Sequence, residues 1–297
     1  MSLIRRIKGF VNALAASPVG VVHALPRAAK GVKRSARRER YRAKLRSGDV
    51  DFVTIDELAV WTREFVGHFP ESYDAVIGVP RSGMLVASII ATKLGRPLTT
   101  PGLILEHRWW SSRSLETTRP DAIHSVLLVD DSVDRGSSIE AARAIVSQRS
   151  HPTRITTAAV IAHRPDASEL VDLHHRIVPH PTIFEWNLMH AKVKGRLSAS
   201  LEGVLDRFGR IPAYLVDTVV AAGGEAEREK AETRLLEKGV RYGDLFMTDT
   251  SGKIEVLKSV RPDLHLEASL AEAERITKET GIPTISLDAM QLVGSLR

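Results

Sequence analysis

Three short apolar runs constrain this chain more than anything else in it: YDAVIGVP (73–80), SVLLVDD (125–131) and ITTAAVIAH (155–163). Each is nearly continuous Val, Ile, Leu and Ala rather than alternating, as strands covered on both faces are. Helical patterns separate them: IDELAVWTREFVGHF, SGMLVASIIATKLG closed by Gly95, and SSIEAARAIVSQ. Strands alternating with helices predict an α/β domain with a parallel sheet over residues 49–190. In such sheets ligands sit at the carboxyl ends of the strands. Two unusual loops, GVPRSG (78–83) and DDSVDRGSS (130–138), fall there.

The second loop has two chemical halves. Gly136 allows a close turn, and Ser137 and Ser138 offer hydroxyls and backbone N–H groups at a helix start, an anion cradle. Asp130 and Asp131 cannot bind an anion directly, but they can accept from vicinal hydroxyls or help to hold a hydrated Mg²⁺. A ribose 5-phosphate satisfies both halves. An ordinary strand-to-helix turn with an aspartate cap accounts for one acid, not for two before the turn and Asp134 inside it. In GVPRSG, Arg81 supplies a fork and the glycines admit close N–H groups, so a second anion is expected there.

VLLVDDSVDRGSS resembles the phosphoribosyl pyrophosphate (PRPP) motif of type I phosphoribosyltransferases, and VIGVPRSGMLVASIIATKLG their pyrophosphate-loop segment. The resemblance implies the parallel-sheet fold of that family, with Mg²⁺ as cofactor. Asp130 and Asp131 would hold the ribose hydroxyls and influence the metal. Asp134, Arg135, Gly136, Ser137 and Ser138 would bind the 5-phosphate, and Val79, Pro80, Arg81, Ser82 and Gly83 the pyrophosphate. A non-proline cis peptide is implied in the latter loop. Asp134 stands where some purine-using relatives place a base-contacting acid, so it is a candidate proton acceptor. Arg135 departs from the family's common threonine.

Between the motifs such enzymes carry a mobile lid, here EHRWWSSRSLETTRPD (106–121), which offers His107, Arg108, Trp109, Trp110 and Arg113. For the two tryptophans core packing competes with stacking on a sugar or base. TIFEWNLMH (182–190) resembles the hood over the acceptor, making Phe184 and Trp186 stacking candidates. His174, His175, His180 and His190 match no metal spacing and read as solvated or core residues.

Residues 191–297 predict a second α/β domain, with helices in AETRLLEKGV and LAEAERITKETG and a last strand in IPTISLDA. SLEGVL (200–205) resembles the D-x-D-G-V-L nucleophile strand of haloacid-dehalogenase-like (HAD) phosphatases, with Ser200 for the first Asp and Glu202 for the second. Lys253 or Lys258 would be the relic of that family's lysine. A serine cannot form the aspartyl-phosphate, so the resemblance implies a degenerate domain without phosphatase activity.

The remaining segment, residues 1–48, is set apart by charge. Residues 1–47 hold thirteen Lys or Arg against one acid, Glu39, a local charge of +12 in a chain of +6, which leaves −6 for the rest. Leu3, Ile4, Ile7, Phe10, Val11 and Leu14 share a helix face, so a basic amphipathic helix is expected. It would either lie on an anionic membrane surface or pack on the protein itself. Nucleic acid is disfavoured, since Tyr41 is the segment's sole aromatic after Phe10. Without cysteine there is no disulfide or thiolate metal site. No apolar run reaches about 18 residues, so a cytoplasmic protein is expected, peripheral on the inner face of the membrane if the basic segment binds there. An oligomer is compatible with all of this.

The resulting expectation is transfer of 5-phosphoribosyl from PRPP to an acceptor. Phosphoribosyltransferase–HAD proteins resembling this chain add phosphoribose to polysaccharides, so a glycan, lipid-linked in keeping with a membrane-surface segment, is the leading acceptor. A nucleobase in nucleotide salvage is the alternative, and a non-catalytic PRPP-sensing regulator a third reading.

Overall fold

A computed structural model describes residues 43–44, 47, 49–111, 115–117, 123–149, 153–188, 196–202, 214–249 and 251–294. The basic helix expected near the N-terminus, Arg113 and His190 lie outside them. The chain divides into two compact units, one of Asp49–Val193 with Asp288–Ser295, the other including Lys194–Leu287.

The first unit is built on a seven-stranded sheet. Its strands are β2 (Ala75–Gly78), β3 (Leu98–Thr99), β4 (Arg108–Trp110), β5 (Leu115–Thr117), β6 (Ser125–Val133), β7 (Arg154–Ala162) and β8 (Leu173–Ile177). They run in the order β5-β4-β3-β2-β6-β7-β8. The central β3-β2-β6-β7-β8 strands are parallel, and β4 and β5 are antiparallel additions at one edge. Helices α1 (Ile55–Val66), α2 (Gly83–Leu94) and α3 (Ser137–Val146) connect them.

The apolar runs divide between two cores. Val76, Leu127, Val129 and Val160 pack with Leu58, Phe65, Val86 and Ile90 of α1 and α2. Ile77, Val126 and Leu128 pack with Ile139, Ala142 and Val146 of α3. Strand alternation sends neighbours to opposite faces, which is why these runs had to be apolar throughout.

Strand β6 continues beyond the expected Asp131, pairing with β7 through Ser132↔Ile161 and Val133↔Ala162. The two aspartates therefore sit inside the ladder rather than in a loop. A separate two-stranded parallel ribbon pairs β1 (Asp51–Val53) with β9 (Thr182–Phe184), within the segment expected to form the hood. It is tied to α1, where Thr54 and Glu57 make a capping box and Glu185 Oε2 accepts from Ile55 N at 2.6 Å.

The second unit has β10 (Leu197–Ser200), β11 (Tyr214–Ala222), β12 (Val240–Thr248), β13 (Leu264–Glu267) and β14 (Thr284–Ser286) in parallel, ordered β12-β11-β10-β13-β14. Helices α4 (Arg228–Glu237), α5 (Gly252–Val260) and α6 (Leu270–Thr280) join them. Strand β11 was not anticipated. Helix α4 begins three residues earlier than its apolar pattern, with Arg228 paired to Glu225.

Candidate active site

Both loops converge on the carboxyl ends of β2 and β6. Val79 N donates to Val129 O at 2.8 Å, extending the sheet past β2. That N–H is thereby engaged within the sheet. Pro80 has no N–H, leaving Arg81, Ser82 and Gly83 as the backbone donors of this loop. The Pro80–Arg81 peptide is cis, as the family resemblance implied. Arg81 is exposed and α2 begins at Gly83.

Gly83 is where the two loops touch. A β-carbon there would lie 2.8 Å from Asp130 Oδ1, 2.9 Å from Val129 O and 3.1 Å from the Asp130 Cα, and the last two are backbone atoms that cannot yield without moving β6. Gly83→Ala is therefore expected to lower stability by about 1–3 kcal/mol and to weaken PRPP binding at least tenfold, read by thermal melting and calorimetry.

Asp130 and Asp131 are 8% and 4% exposed. Asp130 Oδ1 accepts from Asp131 N at 2.9 Å. Burial, and then the neighbouring Asp131 charge, push the Asp130 carboxyl well above the usual carboxylate range. Asp131 accepts from Ser82 Oγ at 2.9 Å and from Trp186 Nε1 at 3.0 Å. No group of three or more His, Asp or Glu among the described residues is arranged to hold a metal alone. The pair fits a hydrated Mg²⁺ that arrives with oxygen ligands of its own, since a nearby cation would favour the ionised Asp130 that burial and Asp131 disfavour.

The loop expected to cradle an anion follows β6. Gly136 takes φ 73°, a left-handed conformation suited to glycine, and α3 starts without a side-chain cap. Its first N–H groups therefore face a cavity of about 270 Å³ lined by Asp130, Asp134, Arg135, Gly136, Ser137 and Ser138 among others. Arg135 is mostly exposed and reaches toward Asp134 at 3.9 Å instead of filling the cradle.

Sequence reading missed three residues here. Arg164 lies 3.6 Å from Asp134 Oδ1 and also donates to the Asp134 carbonyl. His180 Nε2 is 3.7 Å from Asp134 Oδ2. His163 stacks on His180 with centroids 3.7 Å apart, and both line the cavity. His180 is solvent-exposed, as expected, and also lines this cavity, so Asp134 has three cationic or titratable neighbours. A basic residue just past β7 was the only available signal.

Of the segment expected to form the lid, the described residues place Trp109 in the core. Residues 108–110 and 115–117 form an antiparallel hairpin on the sheet edge. Trp109 is 2% exposed in the core beside Ile104 and Leu128, with the Arg149 guanidinium 5.9 Å from its ring centre, so it cannot stack on a ligand. His107 turns the chain at φ 56° and its Nδ1 is buried. Trp110, at 38%, and Arg108, beside Glu106, remain accessible. In the hood, Phe184 and Trp186 stack on each other at 4.5 Å and 12°.

Residues 52–194, just under half of the chain, match the family model described as phosphoribosyl transferase domain. Several solved structures are similar. Helicobacter pylori xanthine-guanine-hypoxanthine phosphoribosyltransferase is 17% identical, covering 47% of this chain and 93% of its own, with a TM-score of 0.38. A purine phosphoribosyltransferase from Pyrococcus horikoshii is 23% identical (46% and 94% covered, TM-score 0.30). Mycobacterium tuberculosis orotate phosphoribosyltransferase in complex with PRPP is 21% identical (44% and 75% covered, TM-score 0.28). No curated protein matches the chain.

Proposed function

We propose that the first unit transfers 5-phosphoribosyl from PRPP to an acceptor and releases pyrophosphate. One observation carries this reading: the two anion loops meet at the paired acids, with Ser82 on Asp131 and Gly83 against Asp130. A ligand with phosphate in the α3 cradle, a diol at the acids and pyrophosphate at Arg81 spans that arrangement.

The chemistry follows from where charge develops. As pyrophosphate leaves, negative charge grows at the Arg81–Gly83 loop, whose N–H groups and guanidinium stabilise it. The Asp130–Asp131 pair lies beside the ribose, where carboxylates favour the positive charge developing on the ring. Bound Mg²⁺, held in part by Asp130 and Asp131, would supply charge neutralisation on the leaving group. Asp134, between Arg164 and His180, holds those groups at the cradle mouth; its service as proton acceptor to the acceptor substrate stays part of this proposal.

For the acceptor we favour a glycan, lipid-linked at a membrane surface. Its support is the +12 charge of residues 1–47 and the second unit's altered site. We read that unit as HAD-like and degenerate, on domain boundaries of 49–190 and 191–297. Ser200 ends the central strand β10, where the nucleophile would stand, and Lys253 Nζ lies 3.3 Å from it. Lys258 pairs instead with Glu255, which supports Lys253 as the candidate for the relic lysine. Among the described residues no helix is long and apolar enough to cross a membrane.

The test supplies radiolabelled PRPP and Mg²⁺ to the full chain with either membranes or a panel of free nucleobases. Label in the membrane glycan fraction, with stoichiometric pyrophosphate, is expected. Label entering nucleotides alone would establish the salvage reading, and PRPP binding without pyrophosphate release would leave a sensor.

A further inference from the structure

Asp131 makes contacts that the donor reading does not require. Ser82 Oγ donates to its Oδ1 at 2.9 Å and Trp186 Nε1 to its Oδ2 at 3.0 Å. Ser82 belongs to the loop after β2, and Trp186 to the turn Glu185–Asn187 after β9. Three segments distant in sequence thus meet on one buried carboxylate.

The arrangement is directional. An indole N–H is a donor only, and an ionised carboxylate an acceptor only, so each suits the other. The Trp186 ring plane is fixed by its stack on Phe184, which is buried and has His163 at 5.5 Å. The stack therefore aims the N–H. A carboxylate has about four lone-pair positions. Two held by Ser82 and Trp186 set its rotamer and leave capacity for two ligand hydroxyls.

We infer that Trp186 is a positioning residue for the donor: with Ser82 it holds Asp131 in the orientation that receives the ribose hydroxyls. The hood residue expected to serve the acceptor by stacking thus acts on the donor side through its edge. This rests on the PRPP reading above.

The test is calorimetric titration of the full chain with Mg-PRPP, ribose 5-phosphate and Mg-pyrophosphate. Trp186→Phe keeps an aromatic ring on Phe184 and removes only the N–H. Loss of one hydrogen bond to a charged group is expected to raise Kd about tenfold for PRPP and ribose 5-phosphate, leaving pyrophosphate within about twofold. Ser82→Ala, on a different segment, should weaken ribose 5-phosphate similarly, so the inference stays testable should either variant fold poorly. Unchanged ribose 5-phosphate affinity in a folded Trp186→Phe protein overturns the inference. So does an equal loss for pyrophosphate, which marks general damage to the loops. Wild-type protein that binds neither PRPP nor ribose 5-phosphate overturns the donor reading as well; wild-type binding with unaltered variants overturns only the role of Trp186.

Discussion

Asp130→Asn is expected to make the free protein more stable while lowering its affinity for Mg-PRPP about 100-fold. Both effects start from the buried Asp130 carboxyl, whose charge is costly in the free protein and useful to a bound ligand. Burial, together with the Asp131 charge, disfavours ionisation of Asp130 in the folded chain, whereas the unfolded chain releases that proton near the ordinary value of 3.8. Between about pH 4 and the raised value the folded state binds more protons than the unfolded one, so stability falls as pH rises. An amide has no proton to lose and can donate to Asp131. The gain should be about 1–3 kcal/mol at neutral pH, several degrees in the melting midpoint, and should shrink toward pH 4. The affinity loss follows from weakening charge-assisted hydrogen bonds to a diol, each worth about 1.5–3 kcal/mol. A variant that loses both stability and affinity would mean that Asp130 supports the fold and is not a strained functional group.

How much of this was legible in sequence depended on whether a feature is local. The β6 run and its acids announce themselves, because a doubly covered strand must be apolar up to the point where it meets ligand. Gly136 and the helix behind it are equally local. What could not be read is what long-range packing decides. Trp109 is core because the hairpin lies on the sheet edge and Arg149, forty residues on, covers its ring. Strands β4 and β5 have three residues each, too short for a period to be seen in a polar stretch. His163 and His180 belong to different strand ends, and only the fold stacks them. The link between Trp186 and Asp131 spans 55 residues and has no sequence signature at all. The cis peptide before Arg81 came from the family resemblance, not from the residues.

The second unit offers the other large effect. Lys253→Met is expected to destabilise that unit by about 3–5 kcal/mol, because it leaves a buried charge uncompensated. Glu267 is 4% exposed, and its Oε2 accepts from Ser200 Oγ at 2.7 Å and from Lys253 Nζ at 2.8 Å. His265 lies 3.5 Å from the same oxygen and is held by Ser198 on its other nitrogen. Burial alone would raise the Glu267 pKa, but the His265 hydrogen bond and the Lys253 ammonium outweigh it and hold the carboxyl at about 2. Its contribution to stability is therefore full above the ordinary glutamate value of 4.5 and is lost only as pH falls toward about 2. Removing the ammonium should move that loss to higher pH, visible as earlier acid unfolding of the variant. Adding Glu267→Gln to Lys253→Met should recover more than half of the loss, since the pair is coupled and its desolvation cost disappears with the charge. Such recovery describes a cluster whose charges satisfy one another, with Ser200 as a hydrogen-bond donor at its centre. Additive losses in the double variant would instead mean that Lys253 and Glu267 act separately, and that the site keeps the open charge a phosphate or metal would need.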